Sequence, residues 1–122
     1  MKMWKLPKVS SDTIDSGEFY YIDVTTLTEA TTTADTAVFA GSGWTLTFTV
    51  DGGSAPIKVA NAQAIVNYLL PKMLEYNGFG VHRKEAQSIF EVFAGMTIAT
   101  ILTTLGITSP GTNDGLVTLA VA

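Results

Sequence analysis

The sequence predicts an α+β domain: an antiparallel β-sheet or small sandwich of about four to six strands, two helices at about 61–76 and 83–105, and an extended N-terminal arm. Three observations lead to this fold class. Apolar residues and threonines alternate over residues 44–50, apolar residues recur at three- and four-residue steps after residue 61, and the first 17 residues show neither period. The length of 122 residues fits one domain with its own core.

Residues 1–17 are predicted to form an extended basic arm, followed by a single α+β domain at 18–122. Three lysines precede the first acid of the chain, Asp12. The arm also carries large apolar side chains, so we expect it to lie on its own domain or on another subunit; a disordered tail is the alternative. The predicted interaction residues of the arm are Lys2, Trp4, Lys5, Leu6 and Lys8.

Several segments have the composition of strands. Residues 18–27 are rich in aromatic and β-branched residues and should form a strand. The threonine-rich stretch that follows is predicted as a loop or as a short edge strand resuming at 37–40. Residues 51–56 supply turn chemistry before the alternating triplet 57–59, so we expect a hairpin with a long loop. A last strand is predicted at 116–122, paired within the domain or across subunits.

The clearest strand pattern is residues 44–50, where successive side chains point to opposite faces. Its large apolar residues should line the core. The opposite face carries Thr45, Thr47 and Thr49, where a solvated sheet more often carries lysine and glutamate. An uncharged threonine face fits contact with another protein, although threonine is also a common strand residue. We predict these three threonines as interaction residues.

Two helices follow from the 3.6-residue period. The first, about 61–76, has Asn61 as its expected N-cap, and Pro71 should kink or split it. The second, about 83–105, ends at Gly106, and Gly95 is a position where it could break. Residues 96–105 are also compatible with a strand, because β-branched residues are dense there.

No pattern indicates catalysis, so we expect no enzyme, no cofactor and no metal. The basic cluster His82, Arg83 and Lys84 contains the only histidine, without a partner at the spacing of a metal site or catalytic dyad. We predict the cluster as an interaction site for the acidic half of a neighbouring copy; a solvated charge cluster is the alternative. Its small size argues against nucleic acid as a partner. The uncharged stretch 92–107 is too short to span a membrane, so no membrane partner is expected.

Charge is distributed in blocks. The first eight residues carry a charge of +3, residues 12–57 carry −7 and no base, and the rest is neutral, giving −4 overall. Charged residues make up 15% of the chain, against about 25% in typical soluble domains. Much of the surface must therefore be uncharged, which indicates a protein partly covered by neighbours.

With its low charge, abundant threonine, alanine and glycine, basic arm and threonine-bearing strand, the chain resembles small structural proteins of tailed-phage virions that decorate or cement capsids. The resemblance implies a non-enzymatic virion protein that self-associates, often as a trimer, and stabilises a capsid lattice through its arm and its threonine-rich surfaces. A phage tail or neck component is one alternative. Another is a small-molecule or carbohydrate-binding module whose aromatic platform would use Tyr20, Tyr21, Trp44 or Tyr76.

Overall fold

The computed structural model describes residues 3–10, 13–51, 54–75, 89–107 and 116–122. It confirms the α+β class, with two α-helices and a mostly antiparallel sheet of seven strands over these residues. The strands are β1 (Met3–Ser10), β2 (Thr13–Asp23), β3 (Glu29–Thr33), β4 (Thr36–Gly41), β5 (Trp44–Val50), β6 (Ile89–Glu91) and β7 (Leu116–Val121). The helices are α1 (Ala55–Leu74) and α2 (Ile98–Leu105), and a short 3₁₀ turn covers Val24–Thr26.

The strand order is β2-β1-β7-β5-β4-β3, and β6 pairs with β1. All pairs are antiparallel except β1 with β6. β2 occupies one side of β1, so β6 and β7 share the other. β6 pairs with Met3–Lys5, and β7 meets β1 through the single pair Val9 and Leu119. The two halves of the sheet, β2-β1-β6 and β7-β5-β4-β3, are therefore joined by a single residue pair.

The predicted strand at 44–50 is confirmed, with its apolar positions buried and its threonines only partly buried. The polar stretch before it forms a hairpin, β3 and β4, joined at Ala34 and Asp35. This is more strand than the short edge strand predicted at 37–40, because the threonines extend it back to Glu29. The last predicted strand is β7, and it pairs within the domain, with β5.

One buried cluster lies between the sheet and the two helices, on the side of the sheet called the inner face below. Phe39 and Phe48, on neighbouring strands, pack edge to face with ring centroids 6.1 Å apart. Helix α1 packs over β3, β4 and β5. It contributes Ile65, Leu69 and Met73, whose side chains are fully buried, so the helical period predicted for this segment faces the core as expected.

The predicted N-terminal arm is corrected by the structure. Its described residues form β1, inside the sheet, and the start of β2. Trp4 and Leu6 are fully buried and belong to the main core. The segment lacks a clean strand period because its pairing with β2 changes register between Pro7 and Val9, which moves the buried positions from even to odd numbers.

The first helix begins earlier than predicted. Ser54 is the N-cap and Pro56 lies in the first turn, where its fixed φ and missing N–H are tolerated. Residues 57–59 are therefore helical, and the predicted hairpin there is wrong. Asn61, the predicted N-cap, is buried inside the helix. Pro71 does not split the helix, which continues as one element to Leu74.

The predicted second helix at 83–105 is only partly correct. Residues 83–88 lie outside the described part of the chain, 89–91 form β6, and a turn separates β6 from α2. Gly95 lies in that turn with φ +69, so the chain is not helical at the glycine where a break was considered possible. Residues 98–105 are helical and end at Gly106, as predicted, with φ +78. Residues 89–91 have helical spacing in the sequence, but they form a strand because they pair with β1.

Candidate interaction surface

The outer face of the sheet, opposite the helices, has a nearly uncharged half on β3, β4, β5 and β7. These four strands contain one charged residue, Glu29, at the corner of the sheet. The register places ten small or β-branched residues on this side, which we call the threonine face: Thr31, Thr33, Thr36, Val38, Ala40, Thr45, Thr47, Thr49, Thr118 and Ala120. None of them is fully buried.

The threonines of this face are in register across strands. Thr33 pairs with Thr36, Thr36 with Thr49, and Thr49 with Thr118. Four threonines therefore form one row over four adjacent strands, with steps of about 4.8 Å between strands. The hydroxyls of Thr33 and Thr36 are hydrogen bonded to each other. The row therefore offers both methyl and hydroxyl groups to a protein that covers it.

The other half of the outer face, on β2, β1 and β6, is apolar and charged. The register places Tyr21 and Glu91 on either side of Lys5. With the nearby Phe19 and Ile89, these residues form what we call the aromatic face. Phe19 is 39%, Tyr21 52% and Ile89 50% exposed, an unusual concentration of large apolar groups at a surface.

Lys5 connects the residues of the aromatic face. Its ammonium lies 4.0 Å from the centroid of the Phe19 ring and 3.8 Å from a carboxylate oxygen of Glu91. The same ammonium group makes a cation–π contact with Phe19 and an ion pair with Glu91. Lys5 therefore contacts Phe19 and Glu91 at the same time, although the pair with Glu91 is partly exposed and contributes little to stability.

A groove of about 220 Å³ opens beside the aromatic face. Its lining combines the apolar side chains of Ile14, Phe93 and Met96 with the carboxylates of Asp15 and Glu91. Phe93 has a left-handed backbone, φ +62, which is rare for a residue other than glycine. The groove has the chemistry to accept an apolar group that has a cationic neighbour.

The acids around the groove are not equally neutralised. Lys5 pairs with Glu91, and Lys8 pairs with Glu18 at 3.3 Å. Asp15 instead accepts a hydrogen bond from the hydroxyl of Ser10 at 2.9 Å. The hydrogen bond and charge of Glu18 raise the pKa of Lys8 above its ordinary value of 10.5, with smaller contributions from Tyr20 and then Asp15.

The residues predicted for interaction are separated by the fold. Trp4 and Leu6 are in the core and cannot contact a partner in the folded chain. Lys5 and Lys8 are partly exposed but paired with acids of their own chain. Thr45, Thr47 and Thr49 share one face, as predicted, while their role in binding stays a prediction. Lys2, His82, Arg83 and Lys84 lie outside the described residues.

Sequence reasoning did not identify the aromatic face. A signal was present, because residues 19–21 are three consecutive aromatics and a strand must turn alternate ones outward. Of the residues suggested for an aromatic ligand platform, Trp44 is buried and donates its indole N–H to the Thr26 hydroxyl at 2.8 Å. Tyr20 packs against the core, so only Tyr21 is well exposed, and Tyr76 lies outside the described residues.

Within the described part of the chain, no group of three or more histidine, aspartate or glutamate residues is placed to hold a metal ion. The described helices also lack the combined length and apolar character needed to cross a membrane. A scan against protein-family models and searches of curated proteins and solved structures found no match. The outer face of the sheet is therefore the basis for the functional proposal.

Proposed function

We propose that this protein is a non-enzymatic structural protein of a virion, which self-associates and stabilises or decorates a phage capsid. The observation that carries the proposal is the threonine face, which is nearly uncharged over four strands. A face without ions can be covered by another protein without the cost of desolvating charges. Its hydroxyls can hydrogen bond to a partner, and its methyl groups supply apolar contact.

The size of the threonine face suggests how it is used. Four strands about 4.8 Å apart and about 20 Å long give an area of roughly 300–400 Å². A stable interface needs about 800 Å² from each partner, so one face alone gives weak binding. Weak sites become effective when several act at once, which is the situation of a subunit on a repeating lattice. The exposed aromatic face supplies further contact area.

The test uses a charge placed in the middle of the threonine face. Thr47→Lys should weaken binding to virus particles of the protein's source by at least ten-fold, because a lysine there must be desolvated when the lattice covers the face. Ala60→Lys, on the exposed side of α1, is the matched control and should leave this binding unchanged. Light scattering after size-exclusion chromatography and cosedimentation with particles provide the measurements. A wild-type chain that stays monomeric at high concentration and ignores particles would contradict the proposal.

A second candidate function, a small-ligand-binding module, is favoured by the groove beside the aromatic face. If it holds, a monomeric sample should show a saturable rise in melting temperature with a ligand from a library of carbohydrates and aromatic amines. Phe19→Ala, which removes part of the groove lining, should abolish that rise. Unchanged melting across the library, in a chain that self-associates, would leave the structural role as the better account. A phage tail or neck component makes the same use of the threonine face and differs only in the particle bound.

A further inference from the structure

The path of the sheet ends at β2 on one side and at β3 on the other, and these two edges are protected differently. β2 contains Gly17 with φ +79, and its pairing with β1 changes register. It also contains three acids: Asp15, Glu18 and Asp23. Irregular backbone and charged side chains are the usual features that prevent an edge strand from pairing with a second chain. The edge at β2 is therefore protected against pairing with a second chain.

The edge at β3 lacks these features. Its five residues, EATTT, pair with β4 without any change of register. They include no proline, glycine or lysine, and Glu29 is the one charge. Alternate residues of an edge strand direct their N–H and C=O groups away from its single partner, and no described strand lies beyond β3. The strand therefore offers a regular row of backbone groups to another strand.

We propose that two copies of the chain pair antiparallel through β3, with their Thr31 residues facing each other across the two-fold axis. This register pairs all five residues of the strand. Thr31 lies opposite Thr31 of the second copy, Ala30 opposite Thr32, and Glu29 opposite Thr33. No like charges face each other, and the small and β-branched side chains suit cross-strand pairing. The proposal rests on the self-association proposed above and names its interface.

The pairing also doubles the area of the continuous threonine face. A two-fold axis through the seam is perpendicular to the sheet, so both threonine faces point to the same side and become continuous. Together they offer roughly 700 Å², close to the 800 Å² or so that each partner contributes to a stable interface. The dimer, rather than the single chain, is then the unit that presents a face large enough for a lattice.

The absence of cysteine from the sequence makes a proximity test simple. Residues opposite each other in an antiparallel pair have Cα atoms about 4.5–5.5 Å apart, within the range of about 4.4–6.8 Å that a disulfide spans. Under mild oxidation, Thr31→Cys should therefore give a covalent dimer. Thr47→Cys, in the middle of the threonine face, is the matched control and should remain a single chain on a non-reducing gel. A dimer formed by Thr47→Cys and not by Thr31→Cys would indicate face-to-face packing and overturn the proposal.

Two lysine substitutions on the same strand should have opposite effects. Thr33→Lys places a lysine opposite Glu29 of the second copy, whereas Thr31→Lys places two lysines opposite each other. The new lysine–Glu29 pair of the Thr33→Lys variant occurs two times in a symmetric dimer, so we expect the dimer dissociation constant to fall about five-fold. For Thr31→Lys we expect the dissociation constant to rise about five-fold, because the two lysines repel each other. Sedimentation velocity over a concentration series measures both constants, and thermal melting checks that both variants fold.

The outcomes separate this proposal from the broader one. If the wild-type chain self-associates but Thr31→Cys does not cross-link and the two lysine variants behave alike, the β3 seam is wrong while the structural function stands. If the wild-type chain is monomeric under all conditions and ignores particles, both are wrong. Opposite shifts in the two lysine variants, together with the Thr31→Cys dimer, support the seam.

Discussion

The two halves of the sheet are built in different ways. In the half formed by β3, β4, β5 and β7, inward residues that are mostly apolar alternate with outward threonine, valine and alanine, and a register shift occurs only between Thr49 and Val50. The half formed by β2, β1 and β6 has a register shift at Pro7, a left-handed Gly17, a parallel three-residue pair and exposed aromatics. The first half is regular because its side chains repeat. The second has no such repeat, and its pairing is interrupted.

The difference shows how each half can be recognised and used. A repeating face can be covered by another repeating surface, since one type of contact recurs along it. The irregular half presents a groove lined by different kinds of side chain, which suits a single chemical group of matching shape. The two halves meet at the pair Val9 and Leu119, so the substitutions below test how tightly they are coupled.

The largest effect is expected at Leu119, which is fully buried and is paired with both Val9 and Phe48. Leu119→Ala should lower the free energy of unfolding by about 3 kcal/mol, since it leaves a cavity where the halves meet. Urea denaturation followed by fluorescence should still show one transition. Ala120→Ser, at the exposed neighbour, should change stability by less than about 0.5 kcal/mol. Two separate transitions would mean that the halves unfold independently.

A smaller effect is expected at Gly41 in the regular half. A Cβ atom there would lie 2.4 Å from the Trp44 ring, so Gly41→Ala should cost about 2 kcal/mol through overpacking. Gly17→Ala, in the irregular half, has open space around its Cβ but a left-handed backbone, and should cost about 1 kcal/mol. Chemical denaturation distinguishes the two causes. Trp44→Leu should recover most of the Gly41→Ala loss in a double-mutant cycle and none of the Gly17→Ala loss.

The smallest effect compares one tryptophan from each half. Trp44 donates hydrogen bonds to Thr26 and to the carbonyl of Asp23, whereas the buried indole N–H of Trp4 has no hydrogen-bond partner among the described residues. Trp44→Phe should therefore lower the free energy of unfolding by about 1 kcal/mol more than Trp4→Phe does. The reason is that Trp4→Phe removes a buried donor that has no partner among the described residues, whereas Trp44→Phe removes one that is hydrogen bonded. Equal losses in thermal denaturation would show that the indole of Trp4 is satisfied in solution.

The sequence allowed the regular half to be predicted and left much of the irregular half undetermined. Alternation over 44–50 identified β5, its buried face and three residues of the threonine face, because strand geometry is local. β1 was not predicted, since its register shift hides the period and its neighbours β6 and β7 come from the far end of the chain. Helix α1 was started late because Pro56 was taken as a turn signal, whereas it lies in the first turn of the helix.

The joint between Val9 and Leu119 has a consequence for how the chain is made. The two residues are separated by 110 positions, and at synthesis rates of about 5–20 residues per second β7 follows β1 by roughly 5–20 s. During that interval the hairpins on either side can close, but β1 has no β7 to pair with. Until β7 leaves the ribosome, β1 is therefore paired with β2 on one side only, and its other edge near Val9 stays uncovered.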